Sequence, residues 1–313
     1  VLALVLFVSV AAANPDLFVK FMKDHNKVYA DLTETLHRYD VFKSNLNLVD
    51  DLNEKNGEPA FGITQFSDLT TEEFRQQYLM PKQEGVKHPD APLLKYNTSV
   101  SVPSSWNWYD QSPDIITPIK NQGQCGSCWA FSATETIESQ WAKAGNSLTS
   151  LAPQQIVSCD TACYGCGGGW TYKAYEYVIS AGGQEPESDY PYTATNGQCN
   201  FNSQDVVAKI SSWNWVTQDQ DESVMQSALV DKGPLSVCVD ASSWQFYSGG
   251  VLRNCGTSID HCVQISGYNT GGSTPYWIVR NSWGTSWGLS GFIWVEMNQD
   301  MCAIAQVVTL PVV

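Results

Sequence analysis

The chain has 313 residues, 43% of them hydrophobic, with 32 Asp and Glu against 17 Lys and Arg, which gives a formal net charge of −15 and a pI near 4.5. That length and apolar content can bury a large core in one to three domains, which excludes a small fold held together by disulfides. The acidic excess repels phosphate, so neither nucleic acid nor an anionic membrane is expected as a partner, and a soluble, acid-tolerant protein is.

The first thirteen residues, VLALVLFVSVAAA, form an apolar run that ends in small residues ahead of Asn14-Pro15. They read as the apolar core and cleavage site of a secretory signal that lacks its first few residues. No later stretch reaches about 18 uninterrupted apolar residues, so no transmembrane helix is predicted. Between Asp16 and Tyr78 the apolar positions recur at helical spacing, with Phe18, Phe21, Met22 and Val28 in one predicted helix and Leu32–Leu52 in a second. Glu34, Arg38, Phe42, Asn45, Val49 and Asn53 follow one another at steps of three or four, which places all six on one stripe of the second helix. Residues 81–101, rich in proline and carrying the sequon Asn97-Thr98-Ser99, read as an extended linker open to proteolysis.

All ten cysteines follow residue 124, and in an exported chain they suggest disulfides whose pairing counting cannot give. From Cys128 to Ala144 the residues Trp129, Ala133, Ile137 and Trp141 recur every fourth position, and Gly145 follows as a stop. A further helix is predicted over Trp170–Ala181, closed by Gly182-Gly183. After Ser211 the pattern turns to short β runs, Leu235–Asp240, Cys262–Tyr268, Tyr276–Val279 and Gly291–Glu296. A helical half thus precedes a β half.

Three segments carry chemistry. QGQCGSCWAFS, residues 122–132, sets Cys128 at a helix start, where free N–H groups and the helix dipole favour a thiolate. His261, in IDHCVQISGY, is the only one of four histidines beyond the linker, and Asn281, in RNSWGTSWG, could accept its imidazole N–H. Each has a plainer reading: a lone strand histidine is more often structural, an asparagine a turn residue, Trp283 and Trp287 core aromatics, and Gln122 a surface residue. Cys125-Gly-Ser-Cys128 could also be a redox pair at a helix start, although nothing around it reads as a βαβ unit. Cys125, Cys128, Cys163 and Cys166 could hold zinc, but the long helix between the two CxxC pairs exceeds ribbon spacing.

In order and spacing the three segments resemble the Cys, His and Asn motifs of the papain family of cysteine peptidases, in its cathepsin L/F-like branch. The six-residue stripe resembles the ERFNIN pattern of that family's inhibitory pro-region, with Val49 in place of Ile. Gly62, Phe66 and Asp68 resemble the GxNxFxD signature, with Thr64 where Asn is usual. The resemblance covers the whole chain and implies an α+β, two-domain papain-like fold preceded by a helical pro-region. A helical left domain and a β-barrel-like right domain would flank the active-site cleft. It implies a signal at 1–13, a pro-region at 14–101 and a peptidase domain at 102–313, with a helical half near 111–213 and a β half from 102–110 and 214–313.

By the same resemblance Cys128 is the nucleophile, His261 the acid/base, Asn281 its orienting partner, Gln122 the oxyanion donor, and Trp283 the indole shielding the His–Asn bond. Gly168 and Gly169 would form a strand edge that hydrogen-bonds an extended substrate, and Trp170, Thr171, Cys238, Ile259, Cys262 and Val307 the S2 pocket, with Asp260 beside them. The pocket holds no carboxylate of its own, so an apolar P2 side chain is expected. The implied disulfides are Cys125–Cys166, Cys159–Cys199 and Cys255–Cys302. Of the remaining thiols, Cys238 and Cys262 are expected to pair in the S2 wall, since free thiols beside a reactive thiolate invite exchange, and Cys163 is left single. The chain runs about two residues longer than the family pattern near 114–116, and it shows neither an occluding loop nor a mini-chain, so endopeptidase action is expected. The expected partners are protein and peptide substrates and the chain's own pro-region as inhibitor, the expected state is a monomer, secreted or lysosomal, and no metal or organic cofactor is called for. The reading from another class is a catalytically silent papain-like binding or storage protein. Loss of the nucleophile is its usual sign, and Cys128 is present.

Overall fold

The computed structural model describes residues 15–83, 89–97 and 99–313; the signal segment 1–13 and Thr98 of the sequon lie outside them. Pro15 opens helix α1 (Pro15–Asp24), where its missing N–H costs nothing. Helix α2 (Leu32–Asn56) starts at Asp31, whose side chain accepts from the Glu34 N–H, and stops at Gly57 in the left-handed conformation. Phe18 and Phe21 of α1 pack on Phe42 and Leu46 of α2. Val28 does not belong to α1. The chain leaves the helix through Asn26 at positive φ, and Val28 is 90% exposed.

The stripe on α2 grips the segment that follows it. Arg38 Nη1 donates to both carboxylate oxygens of Glu73 at 2.9 Å, Asn45 Nδ2 to the carbonyls of Ser67 and Leu69, and Asn53 Oδ1 accepts from the N–H groups of Ala60 and Phe61. Asp68 receives Lys27 Nζ and the Tyr29 hydroxyl at 2.8 and 2.9 Å. A short helix α3 (Thr71–Tyr78) closes this region with a capping box between Thr70 and Glu73.

Strand β1 (Ser105–Asn107) begins the second part. Helix α4 (Cys128–Lys143) is buried almost all round its first three turns, as a helix enclosed by a core must be. Helices α5 (Pro153–Cys159) and α6 (Thr171–Ala181) pack around it. Strand β2 (Ser212–Thr217) leads to helix α7 (Glu222–Lys232), capped by Asp221 through the N–H groups of Ser223 and Val224. There follow β3 (Leu235–Val239), β4 (Val251–Leu252), β5 (His261–Asn269), β6 (Tyr276–Arg280), β7 (Phe292–Glu296) and β8 (Val307–Val312). They form one sheet in the order β2-β8-β3-β5-β6-β7-β4, with β1 on β5. The sheet is not closed, and β2 and β4 are its two ends. Ser132 of α4 donates to the Val263 carbonyl at 2.7 Å, which ties the central helix to β5.

Disulfides join Cys125 to Cys166, Cys159 to Cys199, Cys238 to Cys262 and Cys255 to Cys302. Cys128 and Cys163 are free. With Cys125 bonded to Cys166, neither the redox pair nor the four-sulfur set considered from the sequence can form. The described residues 81–83 and 89–97 are not a free linker. Gln83 bridges to Ile259, and Leu93 lies parallel to Trp215 on the outer edge of β2.

Candidate active site

Cys128 is the first residue of α4 and is fully buried. The backbone N–H groups of Cys262 on β5, of Trp129 and of Cys128 itself act to favour its anion, the last two being free donors of the helix start. The turn before it is tight. A Cβ on Gly126 would lie 2.6 Å from the Cys166 carbonyl oxygen, so only glycine fits.

His261 opens β5 opposite Val239. Its Nε2–H donates to Asn281 Oδ1 at 2.8 Å, and Nδ1 is buried without a hydrogen-bond partner. The Trp283 ring lies 4.7 Å from the imidazole centroid and the Trp244 ring meets it edge-on at 6.0 Å, closing the His–Asn bond off from water. Asn281 follows β6 and its Oδ1 also accepts from the Ser282 N–H, which fixes the amide orientation. Gln122 Nε2 donates to the Cys125 carbonyl, and its Oε1 accepts from the Ser282 hydroxyl at 2.7 Å. Ser282 thus orients two of the candidate residues at once, a role nothing in the sequence signalled. Arg280, just before Asn281, is fully buried and donates to Gln264, Thr117 and the Pro118 carbonyl, with Glu135 of α4 at 3.5 Å. This buried network joins the helix that carries Cys128 to the strand that leads into Asn281. Burial pushes Glu135 up to about 7 in spite of Arg280.

The electrostatics are those of a covered site. Burial pushes the Cys128 thiol up to about 12, against the backbone N–H groups that favour its anion. Burial likewise pulls His261 down to about 4, against its bond to Asn281. Asp260, whose Oδ1 accepts from the Ala241 N–H, is raised by burial to about 7. The sequence alone suggested a thiolate at this helix start. Here desolvation outweighs the helix end, and the neutral thiol and neutral imidazole are favoured.

The cover is the first part of the chain. The Tyr78 carbonyl accepts from Gln122 Nε2 at 2.9 Å, Met80 N–H donates to the Asp260 carbonyl at 2.9 Å and Gln83 N–H to that of Ile259 at 2.8 Å. Phe66 and Phe74 stand edge-on to Trp283 at 5.6 and 5.3 Å. Thr64, where the family pattern has Asn, accepts from the Phe66 N–H and donates to the Gln245 carbonyl, so a hydroxyl holds this turn.

Around Met80 the structure gathers the other candidates. Cys262, Cys238 and Val307 are register neighbours across β5, β3 and β8, all buried together with Ile259 in the apolar cluster that also contains Met80 and Trp170. The Thr171 hydroxyl is tied to that of Thr309 at 3.1 Å. Gly168 has φ 103°, and a Cβ on it would lie 2.8 Å from the Met80 Cβ. Neither Gly168 nor Gly169 lies in a strand, so the edge they offer is irregular backbone.

A family model described as papain family cysteine protease matches residues 102–312, and one described as cathepsin propeptide inhibitor domain matches residues 18–74. Cysteine proteinase 1 of Dictyostelium discoideum is 39% identical, over 95% of this chain and 92% of its own length. Digestive cysteine proteinase 1 of Homarus americanus is 39% identical, over 100% and 99%. Among solved structures, digestive procathepsin L 3 of Tenebrio molitor larval midgut superposes with a TM-score of 0.83 at 31% identity, covering 96% of this chain and 99% of that one. A recombinant stem bromelain precursor gives 0.85 at 35% identity, with the same coverage.

Proposed function

Because the chain belongs to the papain family of cysteine proteases and carries its inhibitory pro-region, we propose that this peptidase zymogen cleaves peptide bonds through Cys128, His261, Asn281 and Gln122. The observation that supports the assignment is the His261–Asn281 bond under Trp283, with Cys128 at the start of α4 and the backbone N–H of Cys262, the residue after His261, acting on its sulfur. With the pro-region gone, the Cys128 proton passes to His261, and the thiolate adds to the scissile carbonyl carbon. The resulting oxyanion takes the place that Gln122 Nε2 now gives to Tyr78, with the Cys128 N–H as second donor. The C–N bond breaks as His261 protonates the leaving amine, leaving a thioester. Water, deprotonated by His261, then releases the acid and restores the thiol. The test is peptide turnover by the acid-processed protein, lost in proportion as an epoxide labels Cys128. Stoichiometric labelling without turnover would support the silent binding protein instead.

We place the pro-region at 14–101 and the peptidase at 102–313, and expect a secreted or lysosomal monomer that acts as an endopeptidase. Among the described residues no helix is long and apolar enough to cross a membrane.

The row Cys262–Cys238–Val307 supports an apolar S2 floor. An arginine there would be buried without a counter-charge, so an apolar P2 residue is favoured. Val307→Glu is expected to raise the kcat/KM ratio of P2-Arg to P2-Leu substrates about tenfold or more, and an unchanged ratio would remove Val307 from the pocket.

Acid processing has its support in Glu73. Burial acts to raise its pKa, but the Arg38 and Thr70 bonds prevail and the carboxyl lies below the usual range. A depressed carboxyl stabilises the fold above its unfolded pKa of about 4.3, and that contribution is lost as pH falls through the folded value. The α2–α3 tie therefore weakens in acid, and with it the hold of Phe74 on Trp283. Processing near 98–102 is expected to speed up below about pH 4.5, and Glu73→Gln to shift the onset to higher pH. An unshifted profile by gel time course would count against this trigger.

A further inference from the structure

We propose that the outer edge of β2, with the aromatic strip beside it, is an exosite of the mature enzyme for extended proline-containing peptide, filled in the precursor by residues 89–97. β2 ends the sheet, with β8 on its inner side. On the outer side three hydrogen bonds converge on one residue. Trp215 N–H donates to the Pro92 carbonyl at 3.0 Å, the Leu94 N–H donates to the Trp215 carbonyl at 2.7 Å, and the Trp215 indole Nε1–H donates to the Pro89 carbonyl at 3.0 Å. Further along, the Asn97 N–H donates to Asp231 Oδ2 at 2.8 Å.

This pattern reads a particular chemistry. It takes carbonyls three residues apart, at Pro89 and Pro92, and asks for N–H groups only at the positions of Leu94 and Asn97. At positions 89 and 92 no donor is used, so proline there loses no hydrogen bond, and its fixed φ lowers the entropy cost of ordering the segment. Beside the edge Trp215, Trp213, Tyr172 and Trp170 form a continuous strip, with centroids 5.3, 5.6 and 5.8 Å apart in succession, and Ala91 packs against it. Trp170 follows Gly169, so the strip runs from the exosite to the cleft. When the pro-region leaves, the indole N–H and both backbone groups of Trp215 lose these partners together. A strand edge with its groups vacated beside aromatic rings is a template for an added extended peptide.

The chain also fixes the side. From Tyr78 at Gln122 it passes Met80 and Gln83 at the proposed S2 wall before reaching Trp215. A substrate would therefore carry the segment on the amino side of the scissile bond, and anchoring it there would raise its effective concentration at the cleft. The inference rests on the peptidase reading only for this effect on turnover.

The test begins with mature enzyme whose Cys128 is carbamidomethylated, titrated with the peptide Pro-Asp-Ala-Pro-Leu-Leu-Lys-Tyr-Asn and followed by tryptophan fluorescence and calorimetry. Saturable binding is expected, at least tenfold weaker when the second leucine is N-methylated, when both prolines are replaced by alanine, or in Trp215→Phe. With active enzyme, a substrate bearing the segment upstream through a Gly/Ser linker is expected to show a KM at least fivefold lower than its alanine counterpart. Trp215→Phe should abolish that gain while hydrolysing a short substrate normally. Absence of binding with the cleft blocked, or equal binding of the N-methylated peptide, would overturn the proposal, and the second arm needs no protein variant. Binding without turnover of any substrate would uphold the exosite and overturn the peptidase reading.

Discussion

Cys128→Ser, brought to the mature form by an added protease, is expected to lose peptide turnover by about four orders of magnitude or more while keeping its melting temperature within a few degrees. A serine hydroxyl at this position has the same helix-end N–H donors, but its proton is far harder to remove, so the nucleophile is not formed at any pH the fold tolerates. His261→Ala should fall as far, since Cys128 is then left with no group to take its proton or to return one to the leaving amine. The two residues act as one unit, and the double variant should be little worse than either single one. The cavity left by the imidazole lies between Trp283 and Trp244, so some loss of stability is expected in His261→Ala but not in Cys128→Ser. Turnover retained in Cys128→Ser at more than about one part in 10⁴ of the unmodified enzyme would remove Cys128 from the nucleophile's role.

The candidate catalytic residues are legible only through their resemblance to family motifs, since a cysteine at a helix start, the one histidine beyond the linker and an asparagine in a tryptophan-rich turn each have a plainer reading when taken alone. What surrounds them is not announced, because it depends on contacts between distant segments. Ser282 meets Gln122 across 160 positions, and Arg280 meets Thr117 across 163, so neither could be found from spacing. Helices α3 and α7 are not legible for another reason. Both are short, and the signals present, Thr70-x-x-Glu73 and Asp221 before Glu222, are end signals that carry weight only once a helix is suspected.

The Cys238–Cys262 pair shows where a periodicity argument gives out. Alternation along Leu235–Val239 would set Cys238 on the face opposite Leu235, Val237 and Val239. All five residues of β3 are buried, so both faces are inside and alternation does not separate them. What brings the two sulfurs together is register. Cys238 lies directly across from Cys262 in the β3–β5 pair, with Cα atoms 3.9 Å apart, inside the limit of about 7 Å for a bridge.

Removal of the pro-region is expected to raise the alkylation rate of Cys128 by iodoacetamide at pH 6 by at least about a thousandfold, because only the thiolate reacts. In the precursor burial holds the thiol at about 12, so the thiolate fraction near neutrality is on the order of 10⁻⁵ and grows tenfold per pH unit. By the proposed mechanism water returns to the site of the mature enzyme, the N–H groups of Cys128, Trp129 and Cys262 remain, and the proton passes to His261. Since that transfer moves a proton within the pair and leaves its net charge at zero, the pair adds no pH dependence to the hold of the pro-region across the range where it keeps one proton. The acid response must then come from carboxylates such as Glu73, which is why the two effects can be measured apart. Steric cover would also slow alkylation, but by the same factor at every pH. Protonation instead makes the precursor's rate climb steadily from pH 6 to 10 while the mature enzyme's stays level. Mass spectrometry must score Cys128 separately, because Cys163 is a second free thiol, half-buried and also pushed up to about 12 by burial. A precursor rate that is level from pH 6 to 8, or one equal to that of the mature enzyme, would show that the pro-region covers the cleft without holding the catalytic pair neutral.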